Sequence, residues 1–230
     1  MADQNATFNP DVQVNVYLSN LTNTTDAFQR PRILVPKATN SLNSNTVAVY
    51  ATLAAAKAAK LAGYISQATL DAITVIFAQT NSPSQGVSVA NVDIVGSQSY
   101  AAALIASIAT DPDFYLVICT SRVSTDIAGV ALAVETCGDK TAADDVGYPF
   151  KHMIFAAQSA DTTLLTGAYP AALAALEGYE RTILCWHPTS TEWFDAAHQC
   201  RLSVALSTVM PPWNKWTVVG VAAYPNGSVD

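Results

Sequence analysis

Phe114-Tyr-Leu-Val-Ile-Cys-Thr120 is the stretch on which the fold turns. An unbroken apolar run headed by aromatics reads as a strand buried on both faces, the kind found inside a helix-covered sheet. On either side of it the pattern changes to helix. Ser99 to Ala109 precedes it and Thr125 to Thr136 follows, both with apolar residues spaced for one helical face.

Working outward, the same alternation continues in both directions. Val87 to Val95 reads as strand, and before it lie two helices: Tyr50 to Ala62, closed by Gly63, and Ser66 to Gln79 with Ser66 as its cap. The β-branched run Ile73-Thr-Val-Ile76 weighs against the second of these. Downstream, Lys151 to Ala157 is a strand, Thr166 to Leu176 a helix and Arg181 to Trp186 a strand. Thr189-Ser-Thr-Glu192 has the form of a capping box opening a last helix, whose apolar face is Trp193, Ala197, Cys200 and Val204. Met210-Pro-Pro-Trp213 breaks that helix, and Trp216 to Ala222 is the final strand. Strands alternating with helices imply βαβ units, so the fold class is α/β with an open sheet.

The first residues differ in character. They are polar and rich in Asn and Thr, apart from Val12-Gln-Val-Asn-Val-Tyr-Leu18, where Val12, Val14, Val16 and Leu18 define one apolar face of a strand. Arg32-Ile-Leu-Val-Pro36 is a second short strand, closed by proline, and residues 38–48 read as loop. This gives an extended N-terminal arm over 1–44, an α/β domain over 45–224 and a tail over 225–230. A strand set in polar sequence can pair with its own domain or with another subunit's sheet.

Composition narrows the function. Half of the 230 residues are hydrophobic, yet only 13% are charged, against about 25% in an ordinary soluble domain. A surface so poor in charge is expected to be hidden against neighbours. Eleven Lys and Arg against eighteen Asp and Glu leave a net charge of −7 with no basic cluster, which argues against nucleic acid as a partner. No stretch reaches the ~18 apolar residues of a membrane span. The start Met1-Ala-Asp-Gln-Asn-Ala-Thr-Phe has neither a basic nor an apolar signal region, so synthesis in the cytoplasm is expected.

Sites of chemistry are sparse. The dinucleotide, phosphate-loop and nucleophile-elbow patterns are all missing from the sequence. Arg122, in Thr120-Ser-Arg-Val-Ser124, could meet an anion near a helix N-terminus, although an ordinary turn capped by Ser124 or Thr125 accounts for the same residues. Asp195 and His198 share a helical face, as many solvated pairs do. Cys185, His187, His198 and Cys200 resemble a metal set on paper, but residues two apart on a helix point away from each other. Glu177 with Glu180, Asp111-Pro-Asp113 and Asp144-Asp145 read as helix ends and turns. Cys119, Cys137, Cys185 and Cys200 read as small buried hydrophobes. Neither a cofactor nor a metal is expected.

Several segments in this order resemble the contractile tail sheath proteins of bacteriophages. They are Val12-Gln-Val-Asn-Val-Tyr-Leu with Phe28-Gln-Arg-Pro-Arg-Ile-Leu-Val, Ala72-Ile-Thr-Val-Ile-Phe-Ala-Gln79, and Tyr100-Ala-Ala-Ala-Leu leading to Phe114-Tyr-Leu-Val-Ile. Glu180-Arg-Thr-Ile-Leu-Cys-Trp-His-Pro and Trp213-Asn-Lys-Trp-Thr-Val-Val-Gly-Val complete the series. The resemblance implies a non-enzymatic virion subunit, polymerised as stacked rings around a tail tube protein, with extended arms adding strands to neighbouring sheets. On this reading Val12, Val14, Val16 and Leu18 pair between subunits at one end of the chain, and Val218, Val219 and Val221 at the other. The alternatives are another self-assembling virion protein, such as a tube, connector or capsid-associated subunit, or a small hydrolase using Ser121 or His198.

Overall fold

The computed structural model describes residues 30–37, 47–79, 82–142, 147, 149–166 and 170–197. Strand β1 spans Arg32–Pro36 and β2 spans Val47–Tyr50; helix α1 is Leu53–Leu61 and α2 is Gln67–Ala78. Then follow β3 (Val87–Val92), α3 (Tyr100–Thr110), β4 (Leu116–Cys119), α4 (Ser124–Gly138) and β5 (Ile154–Ser159). A 3-10 turn at Thr162–Thr166 and a single helical turn α5, Ala171–Ala174, continued as 3-10 to Gly178, lead to β6, Thr182–Trp186. The six strands form one sheet in the order β2-β3-β1-β4-β5-β6, parallel throughout except for β2. The expected α/β class and open sheet are therefore present.

Alternation along the strands splits the core in two. Leu34, Ala90, Val92, Val117, Cys119, Phe155 and Ala157 point to a first face covered by α3, α4 and α5. Ile33, Val35, Val87, Val89 and Ile118 point to the second, covered by α1, α2 and the segment Trp193–Ala197. Residues two apart in a strand share a face, so a shift of one would exchange the two cores.

Helix starts follow local chemistry. Thr52, Ser66 and Ser99 each accept a hydrogen bond from the backbone N–H three residues on, at Ala55, Thr69 and Ala102, satisfying a donor that a helix N-terminus leaves orphaned. The β-branched run in α2 is helical after all, because Ile73, Val75 and Ile76 are buried against the sheet and that burial outweighs a small propensity cost.

Four expectations need correction. Arg32–Pro36, assigned to the arm, is the central strand, paired with β3 on one side and β4 on the other, so the sheet domain begins by residue 30. Val47–Tyr50, read as loop and helix start, is an antiparallel edge strand; its partner β3 is reached past Gly86, whose φ is +76°. The helix expected over 166–176 is broken into the short turns above. Pro170 cannot donate to a helix begun upstream, and its carbonyl instead accepts from Leu173 N. Finally, β3 stops at Val92 rather than Val95, because Asp93 Oδ1 accepts from Gly96 N and Gln98 Oε1 from Asp93 N to make a turn. Val12, Val14, Val16, Leu18, Val218, Val219 and Val221 lie outside the described residues.

Candidate functional site at the carboxyl edge of the sheet

In an open α/β sheet, the natural place for a ligand is the crevice at the carboxyl ends of the strands, where connections leave to opposite faces. Here that point lies between β1 and β4. The chain after β1 runs to the second face, and β4 leads into α4 on the first. Thr120 closes the gap with its backbone N–H and its hydroxyl, both donating to Leu34 O at 3.1 Å. Ser121 and Arg122 follow.

Arg122 is the only cation of this turn, and its donors are engaged within the chain. Its Nη1 donates to Asp195 Oδ2 at 2.7 Å and to Cys119 O at 3.2 Å. Its Nη2 donates to Asp195 Oδ1 at 3.3 Å and Glu192 O at 3.1 Å, and its Nε to Ser190 O at 3.3 Å. The guanidinium also lies 4.9 Å from the centre of the Trp193 ring, a cation–π distance. The anion awaited at Arg122 is thus an internal one, the carboxylate of Asp195. That carboxylate is fully buried rather than solvated. Burial pushes the Asp195 carboxyl above its usual range, and Arg122 pulls it back.

Gln158, buried on β5, holds the same segment from below. Its Nε2 donates to Glu192 O at 2.8 Å, while its Oε1 accepts from Phe194 N at 2.8 Å and Asp195 N at 3.2 Å. This corrects the expected capping box: helical backbone starts at 194, and its first donors go to a side chain of another strand. Gln158→Leu is expected to lower stability by about 2 kcal/mol, since it removes the side-chain acceptor of Phe194 N and Asp195 N and one of the two donors to Glu192 O, which keeps Arg122 Nη2. Urea denaturation checks this.

Ser121 donates from Oγ to Asp126 Oδ2 at 2.6 Å and accepts from Val123 N at 3.2 Å. With that turn in place α4 begins after Val123, which has no side-chain cap, so neither Ser124 nor Thr125 serves as one. His187, 1% exposed, accepts at Nδ1 from Thr189 N at 3.1 Å. A serine nucleophile needs a base on its hydroxyl; the partners Ser121 has here are a carboxylate and a backbone N–H.

Among the described residues no group of three or more His, Cys, Asp or Glu could hold a metal ion. Cys119, Cys137 and Cys185 are buried free thiols, as expected. Burial raises all three, Cys137 to about 11 and Cys185 to about 12. His198, Cys200 and Asp144-Asp145 lie outside the described residues, and Glu180 is exposed. No helix among the described residues is long and apolar enough to cross a membrane.

A second polar cluster sits at the amino edge. Arg32 is fully buried, donates to Ser88 Oγ and to Asp111 O and Oδ2 at 2.9 Å, and stacks 3.9 Å from the Phe114 ring centre. Arg30 reaches Asp111 Oδ1 at 2.8 Å. Asp111-Pro-Asp113, read as turn residues, therefore anchors two arginines. Burial lowers Arg32 to about 10, with Asp111 opposing.

No family model matches the chain, and no curated protein matches it in sequence.

Proposed function

We propose that this chain is a structural subunit that assembles with copies of itself, in the manner of a contractile tail sheath protein that polymerises around a tail tube. One topological observation carries the reading. The step from β1 to β3 moves toward the β2 edge by way of α1 and α2 on the second face. The steps from β3 to β4, β4 to β5 and β5 to β6 all move the other way, over the first face. These connections share one hand, as the right-handed crossover rule requires.

After β6 the chain passes to the second face, where Trp193, Ala196 and Ala197 join the core containing Ile33 and Ile118. A right-handed crossover on that face leads toward the β2 edge, where, among the described residues, β5, β4, β1 and β3 already hold the parallel positions. The strand expected at Trp216 to Ala222 lies outside the described residues, and a right-handed parallel place for it beside β6 is not on the side toward which this route leads. Another copy's sheet supplies one, through backbone pairing at an edge strand. The low charge of the chain agrees with a surface covered by neighbours.

The test places charge on the proposed joining strands of the full chain. Val14→Asp with Val16→Asp, and separately Val219→Asp, should leave the melting transition of the sheet domain in place while abolishing polymers in sedimentation. Polymers that form as readily as those of the unaltered chain would refute the pairing.

A further inference from the structure

We propose that α1 of one copy docks along the shallow groove between α3 and α4 of the next copy, a head-to-tail contact that supplements the strand pairing. The inference rests on the assembly reading above and adds a second surface to it.

A helix on the outside of a soluble domain normally turns a charged or polar face to water. Helix α3 has no charged residue at all, and Ala102, Ala106 and Ala109 are among its exposed positions. Beside it, α4 carries only Asp126 and Glu135 and leaves Leu132 54% exposed. The two helices meet at small residues, since a Cβ added to Gly129 would lie 3.9 Å from Ala101 Cβ. Half-buried Ile105 and exposed Leu132 stand one turn further along the two helices. The surface is thus a shallow apolar groove with Gly129 at its floor.

Such a groove takes a helix with an apolar outer face. On α1 the buried residues are Ala56 and Ala59, which turns Ala54, Ala58 and Leu61 to solvent, Leu61 with 89% exposure. Charge selects a second copy as the source. Two chains of net charge −7 repel, so a contact between them needs a basic surface on one side. Of the helices α1 to α5, α1 alone holds basic residues. These are Lys57 and Lys60, both exposed and in no ion pair among the described residues. On α4, Arg181 lies 3.4 Å from Glu135 and offsets it, while Asp139 and Lys140 cancel just beyond its end. Asp126, hydrogen-bonded to the neutral Ser121, keeps its charge uncompensated. One turn, about 5 Å of rise, separates Lys57 from Leu61 and likewise Asp126 from Gly129. A helix α1 laid along α4 therefore sets Lys57 near Asp126 and Leu61 over Gly129 together.

Helix α1 covers the second face of the sheet and α3 with α4 the first. The two surfaces differ, so the contact is heterologous and propagates without closing. A helix of 9 residues covers only about 14 Å of groove, small against a standard interface, so the contact shows alone only at high concentration.

The test uses the full chain carrying Val14→Asp, Val16→Asp and Val219→Asp, which blocks strand pairing and leaves this contact to be read by sedimentation equilibrium. Concentrated, that chain should form pairs and short runs. Adding Leu61→Asp, or Leu132→Asp, should weaken association at least about tenfold by burying a charge in the contact. Both positions are exposed, so the melting transition should stay in place. Mixing the two altered chains should restore pairs and nothing longer, because each supplies the intact half of one junction. Association unaffected by either substitution, or a mixture that stays monomeric, overturns the proposal. A lower melting temperature with Leu132→Asp and unchanged association would instead assign the groove to residues 1–29 of the same chain. Polymers of the unaltered chain beside a monomeric strand-blocked chain would sink this contact and leave the assembly reading standing, whereas a monomeric unaltered chain removes both.

Discussion

Gly86→Ala should cost roughly 3 kcal/mol of stability, seen as a large fall in the urea midpoint at constant slope. Two independent causes add. Gly86 has φ +76°, a region where a Cβ is strained. It also passes directly across the end of β2, and an added Cβ would collide with Tyr50 O and lie 2.7 Å from Ala51 Cα. Both are backbone atoms at the end of the edge strand, Tyr50 its last residue and Ala51 the next, and they cannot move without breaking the pairing of Tyr50 with Val87. Gly63 separates the causes. Its φ is +82° but nothing lies within 4 Å of an added Cβ, so Gly63→Ala should cost only about 1 kcal/mol. Equal losses at the two positions would show that the close approach at Gly86 is unimportant.

Breaking the clasp between β4 and the last described segment should cost about as much or more. Arg122→Ala is expected to destabilise by about 3 to 5 kcal/mol, because it leaves the fully buried Asp195 carboxylate without its bidentate partner. The pH dependence follows from the sign of the shift. Asp195 is already raised in the folded state, and losing Arg122 removes the group that opposes the rise. A carboxyl raised on folding costs stability while it is charged, and the cost is relieved as pH falls through its folded value. The deficit of Arg122→Ala should therefore be smaller at pH 5 than at pH 7.5. The double replacement Arg122→Met with Asp195→Leu removes both charges and should recover most of the loss. Thermal unfolding of the three chains at both pH values measures all of this.

How much of this was legible in sequence depended on which forces set each feature. Local signals served well: Ser66 is a cap where expected, the helix expected from Ser99 opens there with Ser99 as its cap, and Phe114-Tyr-Leu-Val-Ile-Cys-Thr120 contains the buried strand Leu116–Cys119. Alternating strands and helices gave the α/β class for the same reason, since burial on one or two faces writes its period into the chain. Features decided by distant partners were not visible. Arg32 looks like the polar opening of a short strand, and only Asp111 and Phe114, some eighty positions on, explain how it can be buried. Asp195 resembled a solvated helix residue because its spacing to His198 is local, whereas Arg122, which makes it tolerable, is on another strand's turn. Gln158 carried no signal as a cap at all, its contacts being with a segment after the next strand. Pro170 was an overlooked local sign, enough by itself to divide the helix expected over 166–176, and the turn from Asp93 to Gln98 that ends β3 was another.

Among the described residues the sheet ends on β2 at one edge and β6 at the other, and after β6 the chain reaches the second face at Trp193, Ala196 and Ala197. Self-assembly is the proposal to be tested, and sedimentation velocity of the full chain across a wide concentration range, with negative-stain microscopy of the same samples, tests it most directly. The account predicts growth with concentration into wide striated tubes. A single monomeric species at every concentration would contradict it.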